Sequence, residues 1–184
     1  MFAIIGLAGS GKGTLCKLFT QRNPNAKHIE MGEIIRKRMR DNTVSPYITK
    51  LMNEGSLVPN ELVFEIVEEN VQNNNINLLD GVPRSESQMI ELLKRYPNIH
   101  FIKLSIPREV AMKRLLSRND DRNDDYEEAI NRRFEIYEKD IEKILSLTTD
   151  VEEIKTDRNL EEVYRDFEKV ISNKLHEKTI TELK

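Results

Sequence analysis

The chain opens on an unbroken apolar run, Phe2, Ala3, Ile4 and Ile5, and then passes abruptly into small residues and glycines from Gly6 to Thr14. A short apolar run bounded by glycine predicts a buried strand near residues 2–5. Helical spacing of apolar positions follows near 12–22, a short strand near 27–30, and helical patterns near 31–41, 44–54 and 60–72. Asn73, Asn74, Asn75 and Asn77 mark a turn into a strand near 76–80. The pattern continues with a helix near 85–95, a strand near 100–105, helices near 107–117 and 125–147, a strand near 151–155 and a helix from about 159. Strands alternating with helices predict an α/β fold, with a parallel five-stranded sheet covered by helices on both faces. The stretch from Lys174 onward reads as a frayed helical extension.

Where the first strand meets the first helix, the chemistry becomes specific. The segment Gly6, Leu7, Ala8, Gly9, Ser10, Gly11, Lys12, Gly13, Thr14 has the composition of a phosphate-cradling loop. Glycines let backbone N–H groups turn onto phosphate oxygens, the helix start adds its positive dipole end, and Lys12 supplies a point charge. Gly13 stands where a Ser or Thr hydroxyl usually ligates magnesium, and the hydroxyl arrives one place later at Thr14. Magnesium is therefore expected on phosphate oxygens and waters, with Thr14 bonding a phosphate. The glycine spacing does not give the G-x-G-x-x-G of dinucleotide folds.

Composition narrows the partners. At 184 residues, 38% hydrophobic and 33% charged, the chain reads as one soluble domain able to bury a real core. A net charge of −3 gives no global attraction to nucleic acid, so any anion site must be local. No apolar run is long enough to span a membrane, and the first apolar stretch reads as a core strand rather than a signal peptide. The single cysteine, Cys16, points to a cytosolic chain and reads as a small buried hydrophobe without an evident base or metal partner. His28, His100 and His176 lie outside every motif and read as strand or surface residues.

A second motif, Leu78, Leu79, Asp80, Gly81, Val82, Pro83, Arg84, falls at the carboxyl end of a predicted strand, where open α/β sheets bind ligands. Asp80 can order waters around magnesium there, and Arg84 can fork onto phosphate. With the glycine loop, this arrangement resembles the adenylate kinases and, more broadly, the nucleoside monophosphate kinases, over nearly the whole chain. The resemblance implies a core of residues 1–29, 60–117 and 127–184, a monophosphate-binding insert at 30–59 and a short lid at 118–126. It also implies reversible transfer of a phosphoryl group from Mg·ATP to AMP by a monomer. A structural zinc in the lid is excluded, because that needs more than one cysteine.

Residue by residue, the resemblance gives Gly9, Ser10, Gly11, Lys12, Gly13 and Thr14 to the ATP phosphates and Arg36 to the AMP phosphate. Ser56, Leu57 and Val58 would line the acceptor base, and Gly81, Val82, Pro83 and Arg84 would form the acceptor-side turn, with Val82–Pro83 a cis candidate. Gln88 matches the glutamine that reads adenine, an amide able to pair with a ring nitrogen and an exocyclic amine together. Arg114 would pack on the donor adenine, Arg118 would hold donor phosphates, and Arg122 and Arg133 would embrace the transferring group. Arg158 would lie near the donor base, although Thr156 and Asn159 depart from the family's glycine and proline. Glu30, Met31 and Glu33 also depart from the family pattern, Met31 where a threonine hydroxyl usually touches AMP.

So many arginines suit a reaction whose obstacle is repulsion between two polyanions. An acceptor phosphate is already anionic and needs no general base. Met31 leaves a UMP/CMP kinase as an alternative. A kinase for a small hydroxyl-bearing metabolite needs a carboxylate base, for which Asp80 and Glu33 are the candidates. The substitutions at Glu30, Met31 and Glu33 leave open a nucleotide-binding module without transfer, whereas the lid arginines argue for catalysis.

Overall fold

Alternation within the first strand sets up the layers. β1 (Phe2–Gly6) sends Ala3 and Ile5 to one face and Phe2 and Ile4 to the other, all four buried. The computed structural model describes residues 1–73, 75–117 and 126–182. Its sheet also contains β2 (Ala26–Glu30), β3 (Ile76–Asp80), β4 (His100–Ser105) and β5 (Val151–Lys155), all parallel, in the order β2-β3-β1-β4-β5. Between the strands run α1 (Lys12–Arg22), α2 (Met31–Arg40), α3 (Pro46–Asn53), α4 (Asn60–Asn70), α5 (Glu86–Arg95), α6 (Arg108–Leu116) and α7 (Glu127–Ser146), with α8 (Leu160–Glu182) closing the chain. The expected element order and the five-stranded parallel sheet are both present.

One core packs Ala3, Ile5, Leu79 and Phe101 against Phe64 and Val67 of α4 and Met89 and Leu92 of α5. The other packs Phe2, Ile4, Leu78 and Ile102 against Leu15, Cys16 and Phe19 of α1 and Tyr164, Phe167 and Ile171 of α8. Phe19 meets Phe167 edge-on at 6.0 Å between centroids, an arrangement the ring quadrupoles favour. Each fully buried side chain of this size contributes about 1.5–3 kcal/mol.

Two features of the topology position the site. The connection after β1 runs to β2, and the connection after β3 runs to β4 on the far side of β1, so the neighbouring carboxyl ends of β1 and β3 open a crevice. Strand register sets Ile4 beside Asp80, and Asp80 beside Glu30, at that end.

The carboxyl end of the chain differs from the expectation of fraying at Lys174. The helix continues to Glu182, because Ile171 and Leu175 still pack on the core and Lys174 is held by Asp150 at 3.0 Å. Asp150 also bonds His100 Nδ1, which ties the last helix to β4. No described helix is long and apolar enough to cross a membrane.

Candidate active site

The loop between β1 and α1 owes its shape to two glycines. Gly9 has φ +82°, and a Cβ there would lie 2.6 Å from the Ala111 carbonyl oxygen of α6. Gly11, at φ +92°, caps the amino end of α1 in the left-handed region that only glycine enters without strain. Lys12 is held over the loop, donating to the carbonyls of Gly6 and Leu7 at 2.8 Å each. Ser10 is fully buried beneath it.

This loop forms one wall of a cavity of about 240 Å³. Gly9, Gly11, Lys12, Gly13 and Thr14 line it on one side, and Asp80, Gly81, Pro83 and Arg84 line it across the crevice. Arg36 of α2 and Arg133 of α7 reach the same space from elements distant in sequence, as do Ser56 and Leu57. A smaller recess of about 20 Å³ adjoins it, lined by Met31, Ser56, Leu57, Val58, Gly81, Arg84 and Gln88 among others. Residues read from the sequence as acceptor-binding thus collect in one place. Val82 instead turns into the core, and the Val82–Pro83 bond is cis, as expected.

Arg36, Arg84 and Gln88 each have an internal partner. Arg36 lies 3.3 Å from Glu33 and 3.7 Å from Glu30, with only 14% of its side chain exposed. Gln88 is fully buried, not the solvent-facing residue a helix position alone implies, and its Oε1 accepts from the Arg84 backbone N–H at 2.8 Å. Ser85 caps α5 by accepting from the Gln88 N–H at 3.3 Å, which fixes the first turn that carries Gln88. Arg84 Nε donates to the Gly81 carbonyl at 2.8 Å, bending its guanidinium back over the turn.

Asp80 is the most shielded charge in the site. Burial pushes its carboxyl upward, but the His28 hydrogen bond and the charges of Lys12, His28 and Arg84 outweigh burial and hold it below the ordinary carboxylate value. His28 Nε2 stands 3.2 Å from Asp80 Oδ2, so this histidine belongs to the surroundings of the site and is more than a strand residue. Period two along β2 puts His28 and Glu30 on the same side of the strand, a signal present in the sequence but unspecific without the register. Glu30 and Lys17, 3.4 Å apart, also line the cavity, as does Tyr137, whose hydroxyl burial and Glu153 push up to about 12.

Two predicted donor-side residues stand elsewhere. Arg114 donates to the Thr156 carbonyl at 2.8 Å and does not line the cavity. Arg158 pairs with Asp166 of α8 at 2.6 Å and is exposed. Thr156 itself is buried, bonding the Ser105 carbonyl at 3.2 Å. Arg118, Arg122 and nearly all of the expected lid lie outside the described residues.

A loop of backbone amides facing several guanidinium groups, with no hydroxyl-activating base needed between them, is suited to moving a phosphoryl group between two anions. The fold and site therefore define a phosphate-loop kinase. The family described as Adenylate kinase matches residues 4–153. Relatives named adenylate kinase include one from Prochlorococcus marinus (strain MIT 9301), 38% identical over 173 residues, covering 89% of this chain and 93% of that one. Another, from Campylobacter hominis, is 31% identical over 187 aligned positions and covers 95% and 97%. "Probable adenylate kinase 2, chloroplastic" of Oryza sativa subsp. japonica is 30% identical, over 96% of this chain and 71% of its own. The chain belongs to the adenylate kinase family and is a phosphotransferase that passes a phosphoryl group from ATP to AMP.

Proposed function

We propose that Gly9 to Thr14, with Lys12, hold the ATP phosphates, and that AMP binds between the insert at 30–59 and the segment from Gly81 to Gln88. The observation that carries this reading is the convergence of Arg36, Arg84 and Arg133 on the cavity that the glycine loop lines. Arg36 and Arg84 grip the acceptor phosphate, and Arg133 faces the group in transfer together with Arg118 and Arg122 of the short lid at 118–126. Arg114 from the last turn of α6, where it bonds the Thr156 carbonyl, and Arg158 from the turn after β5 serve the donor base. Guanidinium forks neutralise the two polyanions and aim at the equatorial oxygens, where one such group is worth about 10³–10⁵ in rate. The insert and lid close over both nucleotides and exclude water, which otherwise hydrolyses ATP.

The donor chemistry at the carboxyl ends of β2 and β3 suits magnesium. Asp80 and Glu30 both point carboxylate oxygens toward Gly13, and hard oxygen donors with retained waters are what magnesium takes. Asp80 would hold the waters of the nucleotide's magnesium, which would supply neutralising charge to the phosphates.

Gln88 selects adenine over the pyrimidines by offering its amide to the base edge. The recess beside it has little more room than one water molecule needs, so the base enters only as Gln88 leaves the Arg84 amide and the insert moves outward. The chain acts as a monomer in the cytoplasm on free nucleotides, not on nucleic acid or membranes. Its net charge of −3 and lone cysteine support that reading.

The test is ADP formation from Mg·ATP with AMP, UMP, CMP and GMP in turn, against a control without acceptor. Fast turnover confined to AMP is expected. Preference for UMP or CMP would move the base assignment to Met31, and hydrolysis without transfer would remove the acceptor site altogether.

A further inference from the structure

One side-chain cluster next to the cavity is unused by phosphoryl transfer as described. Cys16 on α1, His28 on β2 and Asp80 on β3 each bring one donor atom to within 4.8 Å of the others. Among the described residues no other group of three His, Cys, Asp or Glu side chains is gathered in this way. Cys16 is fully buried, and the His28 and Asp80 side chains are 10% and 8% exposed. A buried carboxylate needs a partner, and His28 alone meets that need. A thiol beside the pair adds nothing to that hydrogen bond.

The donor set has a definite chemical character. Sulfur, imidazole nitrogen and one carboxylate oxygen suit a borderline or soft dication and are poorly matched to magnesium. A thiolate and a carboxylate together cancel the charge of a dication, the condition for burying one. Around tetrahedral zinc, neighbouring donors sit about 3.3–3.6 Å apart. His28 Nε2 and Asp80 Oδ2 are already 3.2 Å apart, and bringing sulfur to the same spacing takes a shift on the order of 1 Å, within side-chain reach. All three residues stand on regular elements packed in the sheet and its covering helix, which fixes their relative positions. Access runs through the nucleotide cavity, because Gly13 presents no side chain between that space and Asp80 Oδ2.

We propose that Cys16, His28 and Asp80 form a binding site for a zinc-class divalent cation, and that its occupancy inhibits phosphoryl transfer by taking the Asp80 carboxylate. On binding, the Cys16 thiol gives up its proton to solvent and sulfur ligates as thiolate, His28 donates a nitrogen lone pair, and a water completes the fourth position. The inhibitory half rests on the role proposed above for Asp80. The binding half does not.

The test is a titration of the full chain with Cd²⁺ in the absence of nucleotide, read by the ultraviolet thiolate-to-cadmium charge-transfer absorption. With one cysteine in the sequence, any such band belongs to Cys16. A band saturating at one equivalent is expected. It should vanish in Cys16→Ser and persist in His28→Gln with affinity at least about 10-fold weaker. No band, or one whose affinity His28→Gln leaves unchanged, would overturn the site whatever the acceptor nucleotide proves to be. For inhibition, Zn²⁺ should suppress transfer by the unaltered chain, and Cys16→Ser should keep basal activity while needing at least about 100-fold more Zn²⁺. Equal Zn²⁺ sensitivity in both, or a cadmium site whose filling leaves transfer unchanged, would overturn the inhibitory half.

Discussion

Under the proposed assignment, the donor side of the cavity is made of backbone and the acceptor side of side chains that hold one another. Gly9 and Gly11 fix the loop through their φ angles, and Lys12 is pinned by two main-chain carbonyls. Across the crevice, Arg36 lies between Glu30 and Glu33, and Gln88 is bonded to the Arg84 amide. The donor side is therefore shaped before any nucleotide arrives, and the acceptor side must exchange internal contacts for external ones. Selectivity for the acceptor base then resides where binding requires rearrangement, since only a base able to replace those contacts recovers their energy.

The comparison can be broken at several points. Arg133 faces the space between the two sides, so Arg133→Ala should lower kcat by about 10³-fold or more while the melting temperature stays within a few degrees. A kcat near that of the unaltered enzyme would remove Arg133 from the reaction. Gly9→Val strains the donor side directly, placing a branched side chain at φ +82° and against the Ala111 carbonyl. It should cost about 1–3 kcal/mol in thermal or denaturant unfolding and raise KM for ATP more than for AMP. Equal effects on the two KM values would mean that the sides are not separable.

Two smaller changes act on the acceptor side with opposite signs. Gln88→Ala removes one or two hydrogen bonds to the base, at about 1 kcal/mol each, and should lower kcat/KM for AMP by about 5- to 30-fold with KM for ATP unmoved. Glu33→Gln loosens the clasp on Arg36. Half-exposed ion pairs are worth about 0.2–1 kcal/mol, so KM for AMP should fall by up to about fivefold, and a rise would show that Glu33 positions Arg36 for binding.

The smallest effect lies outside both sides. Burial pushes the Asp150 carboxyl up, but bonds from Lys174 and His100 outweigh it and depress its value on folding. Its contribution to stability is therefore complete above the ordinary carboxylate value of about 3.9 and is lost as the pH falls through the lower folded value. Because Asp150 is a third exposed, that contribution is under about 1 kcal/mol. Asp150→Asn should flatten the acid limb of the melting-temperature profile and leave kinetics at neutral pH unchanged.

How much was legible in the sequence divides along the same line. The phosphate loop is local, and its conformation is written in glycines a few residues apart, so Gly9, Gly11 and Lys12 could be read directly. The succession of strands and helices along the chain was legible for the same reason, since hydrophobic periodicity is a short-range signal, whereas the cis bond at Val82–Pro83 was named through family resemblance and the spatial strand order was not read at all. Gln88 was named through family resemblance, but its burial and its bond to Arg84 depend on how α5 seats against the insert, which no periodicity records. His28 looked unremarkable because only the pairing of β2 with β3 brings it to Asp80, and Cys16 lacked an evident partner for the same reason. Arg158 pairs with Asp166, two turns into the helix that follows, a contact that its place in the turn after β5 does not announce.

The most direct test of the contrast between the two sides is a nucleotide titration followed by the backbone amide resonances of the isotope-labelled enzyme. AMP alone should displace the amides of Arg84, Gln88, Arg36 and Ser56, with the Arg84 signal moving most as it loses Gln88 Oε1, while Gly9 to Thr14 stay in place. Displacement of the glycine loop by AMP, with Arg84 and Gln88 unmoved, would contradict both the acceptor assignment and the opening it requires.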